Sequence, residues 1–153
     1  MNRVSITNQI RFMASQQLKW LEESTPEAQE TAIAAYVLLF EKLLLAVVDE
    51  VTERSAVSEL SLSFDQQIQE AAITHGSIRE IQVGLQQPGH WLQQWRLSRQ
   101  NLFELANVRP KADPTTQRID ATLIESSHIT QYRQWLDAFT EFLDRTRELN
   151  NQY

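Results

Sequence analysis

Y36-V-L-L-F-E-K-L-L-L-A-V-V-D-E-V51 offers water almost nothing: Glu41 and Lys42 are its only charges before Asp49. A stretch of this kind crosses a membrane, forms the central helix of a bundle, or contacts another chain. Its longest unbroken apolar run is Leu43 to Val48. That is far short of the roughly 18 residues of a spanning segment, so no membrane association is expected.

Placed on a helical wheel, Ile33, Tyr36, Phe40, Leu43, Leu44, Val47 and Val51 form one broad stripe. Thr31, Lys42, Asp49 and Glu53 mark the opposite side, and Leu38 and Leu45 lie among them. Two arrangements accommodate these leucines. Later helices enclose them, or they sit on an exposed patch that a second copy covers. The chain has enough length to wrap one central helix, so enclosure is the expectation and a homodimer the alternative.

Working outward, Thr25-Pro26-Glu27 reads as a helix start. Thr25 is a capping residue, Pro26 suits the first helical position, and Glu27 and Glu30 suit the positive end of the helix dipole. The helix is expected over 26–54, about 43 Å long. A first helix is expected from about Ser5 to Glu23, with Ile6, Ile10, Met13, Trp20 and Leu21 on its core face. Phe12 and Leu18 fall off that stripe, which calls for a second neighbour. The short turn between the two helices predicts an antiparallel hairpin.

Downstream, residues 55–63 read as a mixed segment whose Val57 and Leu60 cover one end of the bundle. A helix over 64–75 is expected to close at Gly76 in the left-handed conformation, with Ser77-Ile-Arg-Glu80 forming a capping box for the next. A further helix spans about 89–107, with Trp91, Trp95, Leu102 and Leu105 on one side. Arg109 to Thr116, with two prolines, reads as a connector. Residues 117–126 have no decisive pattern. The last helix, about 127–150, buries Ile129, Tyr132, Trp135, Leu136, Phe139, Phe142, Leu143 and Leu149, and pairs Glu141 with Arg145 on its polar face.

Composition agrees with this helical reading. The 153 residues include three glycines, four prolines and no cysteine, against abundant Gln, Glu, Leu and Ala. The expected fold is a single all-α domain, an irregular up-and-down bundle of five to six helices around the 26–54 helix. Lack of cysteine removes disulfides, thiolate nucleophiles and Cys-based metal sites. A net charge of −6 with scattered Arg and Lys argues against nucleic acid. The N-terminus has no apolar run of signal-peptide length, and a cytoplasmic location is expected.

Little in the chain suggests chemistry. The three histidines are isolated, and there is no Gly-rich phosphate loop, H-E-x-x-H or G-x-S-x-G. Glu125-Ser-Ser-His128 has the spacing of half a di-iron site, but those sites need a second such pair and two more inward carboxylates. Glu125 is better read as an anion at a helix start. No cofactor or metal is expected. Trp91, Trp95 and Trp135 could line a small-ligand pocket, although aromatic residues at this spacing more often form core.

Several segments carry a resemblance. Thr7-Asn8-Gln9-Ile10 with Phe12 and Ala14, the apolar helix from Ala34, Pro88-Gly-His-Trp-Leu92, and Trp135-Leu-x-x-Phe139 running to Arg147-Glu148-Leu149 together resemble an uncharacterised bacterial family of small helical proteins, a domain of unknown function. Where that family usually has a His-Leu-Tyr-like element, this chain has Tyr36-Val-Leu-Leu-Phe40. The resemblance implies an all-helical fold and no assigned activity.

The expected role is therefore a non-catalytic interaction or scaffold protein, binding an unidentified protein or itself through Leu38, Leu45 or Phe12. The alternative is a ligand-binding bundle with a pocket between the tryptophan-bearing helices. Leu38→Glu separates enclosure from exposure. An enclosed leucine predicts loss of the cooperative melt by circular dichroism, whereas an exposed one predicts an unchanged melt.

Overall fold

The computed structural model describes the backbone of residues 2–53, 62–107 and 114–151, and the side chains of these except 105–127. Among the described residues the chain forms six helices and no strand: α1 (Arg3–Glu23), α2 (Pro26–Thr52), α3 (Phe64–Thr74), α4 (Gly76–Gln86), α5 (Trp91–Asn107) and α6 (Pro114–Asn151). Val57, Leu60 and the 109–113 part of the connector lie outside the described residues.

Four helices form a ring: α1 beside α2, α2 beside α5, α5 beside α6, and α6 beside α1. The α3–α4 hairpin packs against α2 through α3 and against α5 through α4. Thus α2 and α6 stand at opposite corners and meet across the middle through large side chains. Tyr36, Phe40, Leu43, Leu44 and Val47 of α2 are fully buried, as are Trp135, Phe139 and Leu143 of α6. The Tyr36 ring lies 5.5 Å from that of Tyr132 and stacks on Trp135 at 6.3 Å; Phe40 meets Phe139 edge to face at 5.8 Å. The Tyr36 hydroxyl donates to the Tyr132 carbonyl at 2.6 Å, and Trp95 Nε1–H donates to the Val37 carbonyl at 3.1 Å. Both polar tips are therefore satisfied inside the core.

The charges that interrupt α2 hold its neighbours. Glu41 accepts from Arg99 of α5 at 2.7 Å, and the Arg99 guanidinium lies over the Phe64 and Phe103 rings. Glu50 takes Arg147 of α6 through both oxygens, at 2.8 and 3.1 Å, with the Glu50 side chain only 6 % exposed. A two-pronged pair with little water around it is the geometry in which an ion pair matters most.

By length and composition α2 is also long and apolar enough to cross a membrane, with a mean hydropathy of 2.0 over its most apolar 18 residues. That windowed measure passes the charges that break the uninterrupted run. A bundle's core helix meets it too, and the inward face of α2 is occupied by the ring contacts above.

Several sequence expectations are corrected. α1 begins at Arg3, because the Asn2 side chain accepts from Ser5 N at 2.8 Å. Of its expected core face, Leu21 is buried and Ile10 packs against the core, whereas Ile6, Met13 and Trp20 are exposed; Thr7, Ala14 and Leu18 are buried instead. Thr25 stands at the start of α2 without a side-chain cap bond, and α2 ends at Thr52 because Glu53 turns left-handed (φ 57°). The capping box is Ser63 with Gln66, at 3.3 and 3.0 Å, opening α3. Ser77 forms none, since α4 begins one residue earlier and the Glu80 carboxylate takes Arg145 of α6 at 2.9 Å. That bond engages the arginine expected for Glu141. Residues 117–126 are helical, continuous with α6, which at 38 residues is about 57 Å long and exceeds α2. Pro114 causes no break because a first-turn proline sacrifices no helical hydrogen bond. Leu149 is exposed.

Two glycines of α4 stand in contrasting surroundings. Gly76 has no positive φ and opens α4; the corner is made by His75 in an extended conformation (φ −123°, ψ 114°). A Cβ at Gly76 would meet nothing within 4 Å, whereas one at Gly84 would lie 2.7 Å from His90 Cε1 and 2.8 Å from Leu92 Cδ1. The His90 ring cannot simply swing away, because its Nδ1 accepts from Leu92 N at 3.2 Å and caps α5. Gly76→Ala should therefore gain about 0.5 kcal/mol by narrowing the unfolded ensemble, and Gly84→Ala should lose about 1 kcal/mol or more. Thermal melts followed by circular dichroism should move in opposite directions for the two variants.

Candidate interaction surface

The α1–α2 hairpin has a defined register. Gln17 Nε2–H donates to the Ala32 carbonyl at 3.2 Å, and the Thr7 hydroxyl, which donates to the Arg3 carbonyl at 3.1 Å, also lies 3.5 Å from the Ala46 carbonyl. Midway between these two ties Met13 falls level with Leu38, and toward the ends Ile6 comes near Leu45 and Trp20 near Thr31. Ala14 is buried at the crossing, and its small side chain lets the two backbones approach.

On α1, the inward residues Thr7, Ala14, Leu18 and Leu21 face the core. Ile6, Met13 and Trp20 lie about 100° around the helix from Thr7, Ala14 and Leu21, on the side flanking α2. They are 38 %, 47 % and 63 % exposed. On α2, Leu38 is 44 % exposed, and Leu45 is partly buried against the core. The expected enclosure of Leu38 is overturned: α5 and the α3–α4 pair cover other sides of α2 and leave this one bare. Residues seven apart drift by only about 20° around a straight helix, so each helix presents a nearly straight row. Two adjacent rows form a ladder: Ile6 with Leu45, Met13 with Leu38, Trp20 with Thr31.

Phe12 is 63 % exposed but is not part of this ladder. It lies about 100° from Met13, on the α6-facing flank of α1, where Glu22 pairs with Arg133. Other exposed apolar side chains sit singly on other helices: Ile73 on α3, Val83 on α4, Leu97 and Phe103 on α5, Leu149 on α6. Isolated exposed apolar residues are ordinary, whereas a continuous apolar face is not.

The tryptophans are placed differently from a ligand-lined pocket. Trp95 and Trp135 have no exposed surface, and Trp91 packs partly buried against Phe40 at 6.0 Å. Trp135 Nε1–H donates to Gln94 Oε1 at 3.3 Å. An open cleft of about 440 Å³ lies elsewhere, bordered by Arg79, Glu80, Gln87 and His90. Its polar groups are already engaged: Arg79 donates to the Ala72 and Ile73 carbonyls that end α3, and Glu80 holds Arg145.

Among the described residues no three His, Asp or Glu side chains gather to hold a metal. The Glu125 side chain lies outside the described residues, and His128 Nδ1 pairs with the Tyr132 hydroxyl at 3.2 Å. Burial lowers the His128 pKa from its ordinary value and pushes the Tyr132 hydroxyl up to about 12.

The fold and this surface together define a class: among the described residues, an all-helical bundle with an aromatic core and a bare apolar face on its first hairpin. The chain belongs to a family of unknown function, DUF6586, whose model matches residues 1–153. No curated protein and no solved structure matches it.

Because burial keeps His128 neutral, the folded chain binds fewer protons than the unfolded chain as pH falls through about 6.5. This group's contribution to stability is therefore lost with falling pH, starting below about 6.5. In melts between neutral and mildly acidic pH, His128→Gln should lose less melting temperature than the wild type.

Proposed function

We propose that the chain is a non-catalytic protein-interaction module of the bacterial cytoplasm, and that it binds through the outward face of the α1–α2 hairpin. One observation carries this reading: among the described residues, Ile6, Met13, Trp20 and Leu38 stand exposed in two adjacent rows on one hairpin, with the partly buried Leu45 extending the second row. Leaving such a face in water costs free energy at roughly 25 cal/mol per Å², a cost that covering it removes.

Polar side chains surround the ladder, with Gln9, Gln16 and Lys42 between its rungs. An apolar centre with a polar border is the anatomy of a protein–protein contact, with the large Trp20 as the natural anchor. Net charge −6 and the scatter of basic residues weigh against a nucleic-acid partner.

A photo-cross-linking amino acid at position 38, expressed in the native host, should give a discrete adduct. The same group at position 149, exposed on α6, should give none. Equal labelling at both positions, or none at 38, would defeat the reading.

A further inference from the structure

Resting on that reading, we infer that the occupant of the α1–α2 face is a second copy of this chain, joined by a two-fold axis that lies in the face, midway between α1 and α2 and parallel to them. The spacing is the first support. Apolar residues repeat every seven positions on both helices, 6–13–20 on α1 and 38–45 on α2. A seven-residue repeat is the pattern by which helices pack on other helices in four-helix assemblies. Neither loop-binding nor small-ligand recognition calls for it.

The second support is size. α1 has 21 residues and is about 31 Å long, and two adjacent helices are about 20 Å wide. The face is thus about 600 Å² on each copy, or about 1,200 Å² in total, which reaches the lower end of the range for stable interfaces.

The third support is complementarity under the two-fold operation, which lays α1 of one copy over α2 of the other. Met13 meets the partner's Leu38. Ile6 meets the partner's Leu45. Trp20, the largest group, covers the partner's Thr31, the small member of the remaining rung. Lys42 falls level with the partner's Gln9, and Asp49 with the partner's Asn2. Neither of these charges meets its like, so the centre of the face is compatible with itself as an isologous contact requires. The result is a four-helix layer between two bundles.

Sedimentation equilibrium on the full chain tests this. Wild type should sediment as a dimer. Met13→Glu and Leu38→Glu should each weaken association by roughly tenfold or more with an unchanged melt. Phe12→Glu, on the other flank of α1, should leave the dimer intact. If Leu38→Glu unfolds the chain, Met13→Glu carries the test. A monomeric wild type at the highest soluble concentration overturns self-pairing, as does a dimer broken by Phe12→Glu but not by Met13→Glu. Cross-linking at position 38 then separates the two readings. An adduct with a different protein preserves the interaction module and refutes only the second copy. No adduct refutes both. A monomer that floats with phosphatidylethanolamine–phosphatidylglycerol vesicles replaces the protein partner with lipid.

Discussion

The structure depends on one constraint: α2 must hide its inward face, and the aromatic side chains of α6, joined by Trp91 and Trp95 of α5, cover it. Tyr36 is the pivot. It stacks on Trp135, tilts against Tyr132 and Phe40, and its hydroxyl donates a hydrogen bond to the Tyr132 carbonyl. The hydrogen bond lets a polar residue occupy the centre without leaving an orphaned group. Burial raises the Tyr36 pKa well above the ordinary tyrosine value, so the neutral donor persists.

Around that centre, polar residues on α2 serve as fasteners. Glu41 reaches Arg99 and Glu50 reaches Arg147, one tying α5 and the other α6. These two contacts explain why an otherwise apolar helix carries carboxylates at its flanks. They also divide the helix. The sides bearing Tyr36, Glu41 and Glu50 are committed to the chain's own neighbours, and the side bearing Leu38 is not. That division separates the fold from the proposed function. The core is complete without Leu38, so this face is available for contact with another molecule.

Much of the architecture was legible in the residues. Low glycine and proline content and helix-forming composition indicated an all-α chain. The spacing of Tyr132, Trp135, Phe139, Phe142 and Leu143 identified the core face of α6, because large groups at that spacing have only one side to share. The misreadings were local. Ser77-Ile-Arg-Glu80 has the letters of a capping box, as does Ser63-Phe-Asp-Gln66, yet only the second forms. The difference lies in where the helices start: Ser63 is the cap of α3, whereas α4 already begins at Gly76, so Ser77 is inside it and Glu80 is left to pair with Arg145, 65 positions away. Gly76 looked like a left-handed stop, but His75 made the corner in an extended conformation that needs no glycine.

By itself the sequence determined the all-helical class and which residues of α2 and α6 avoid water, since periodicity and propensity are properties of neighbouring residues, but it left the first turns of α6 undecided. It also placed Leu38 and Leu45 off the main stripe. Only the tertiary structure decided which apolar rows are core. On α1 the larger side chains Ile6, Met13 and Trp20 look outward, while Thr7 and Ala14 face in, because close approach of two helix backbones selects small side chains at the crossing. A helical wheel ranks residues by hydrophobicity and knows nothing of that distance. The bare face of the hairpin follows from where the other helices happen to stand, and that is a fact of packing alone.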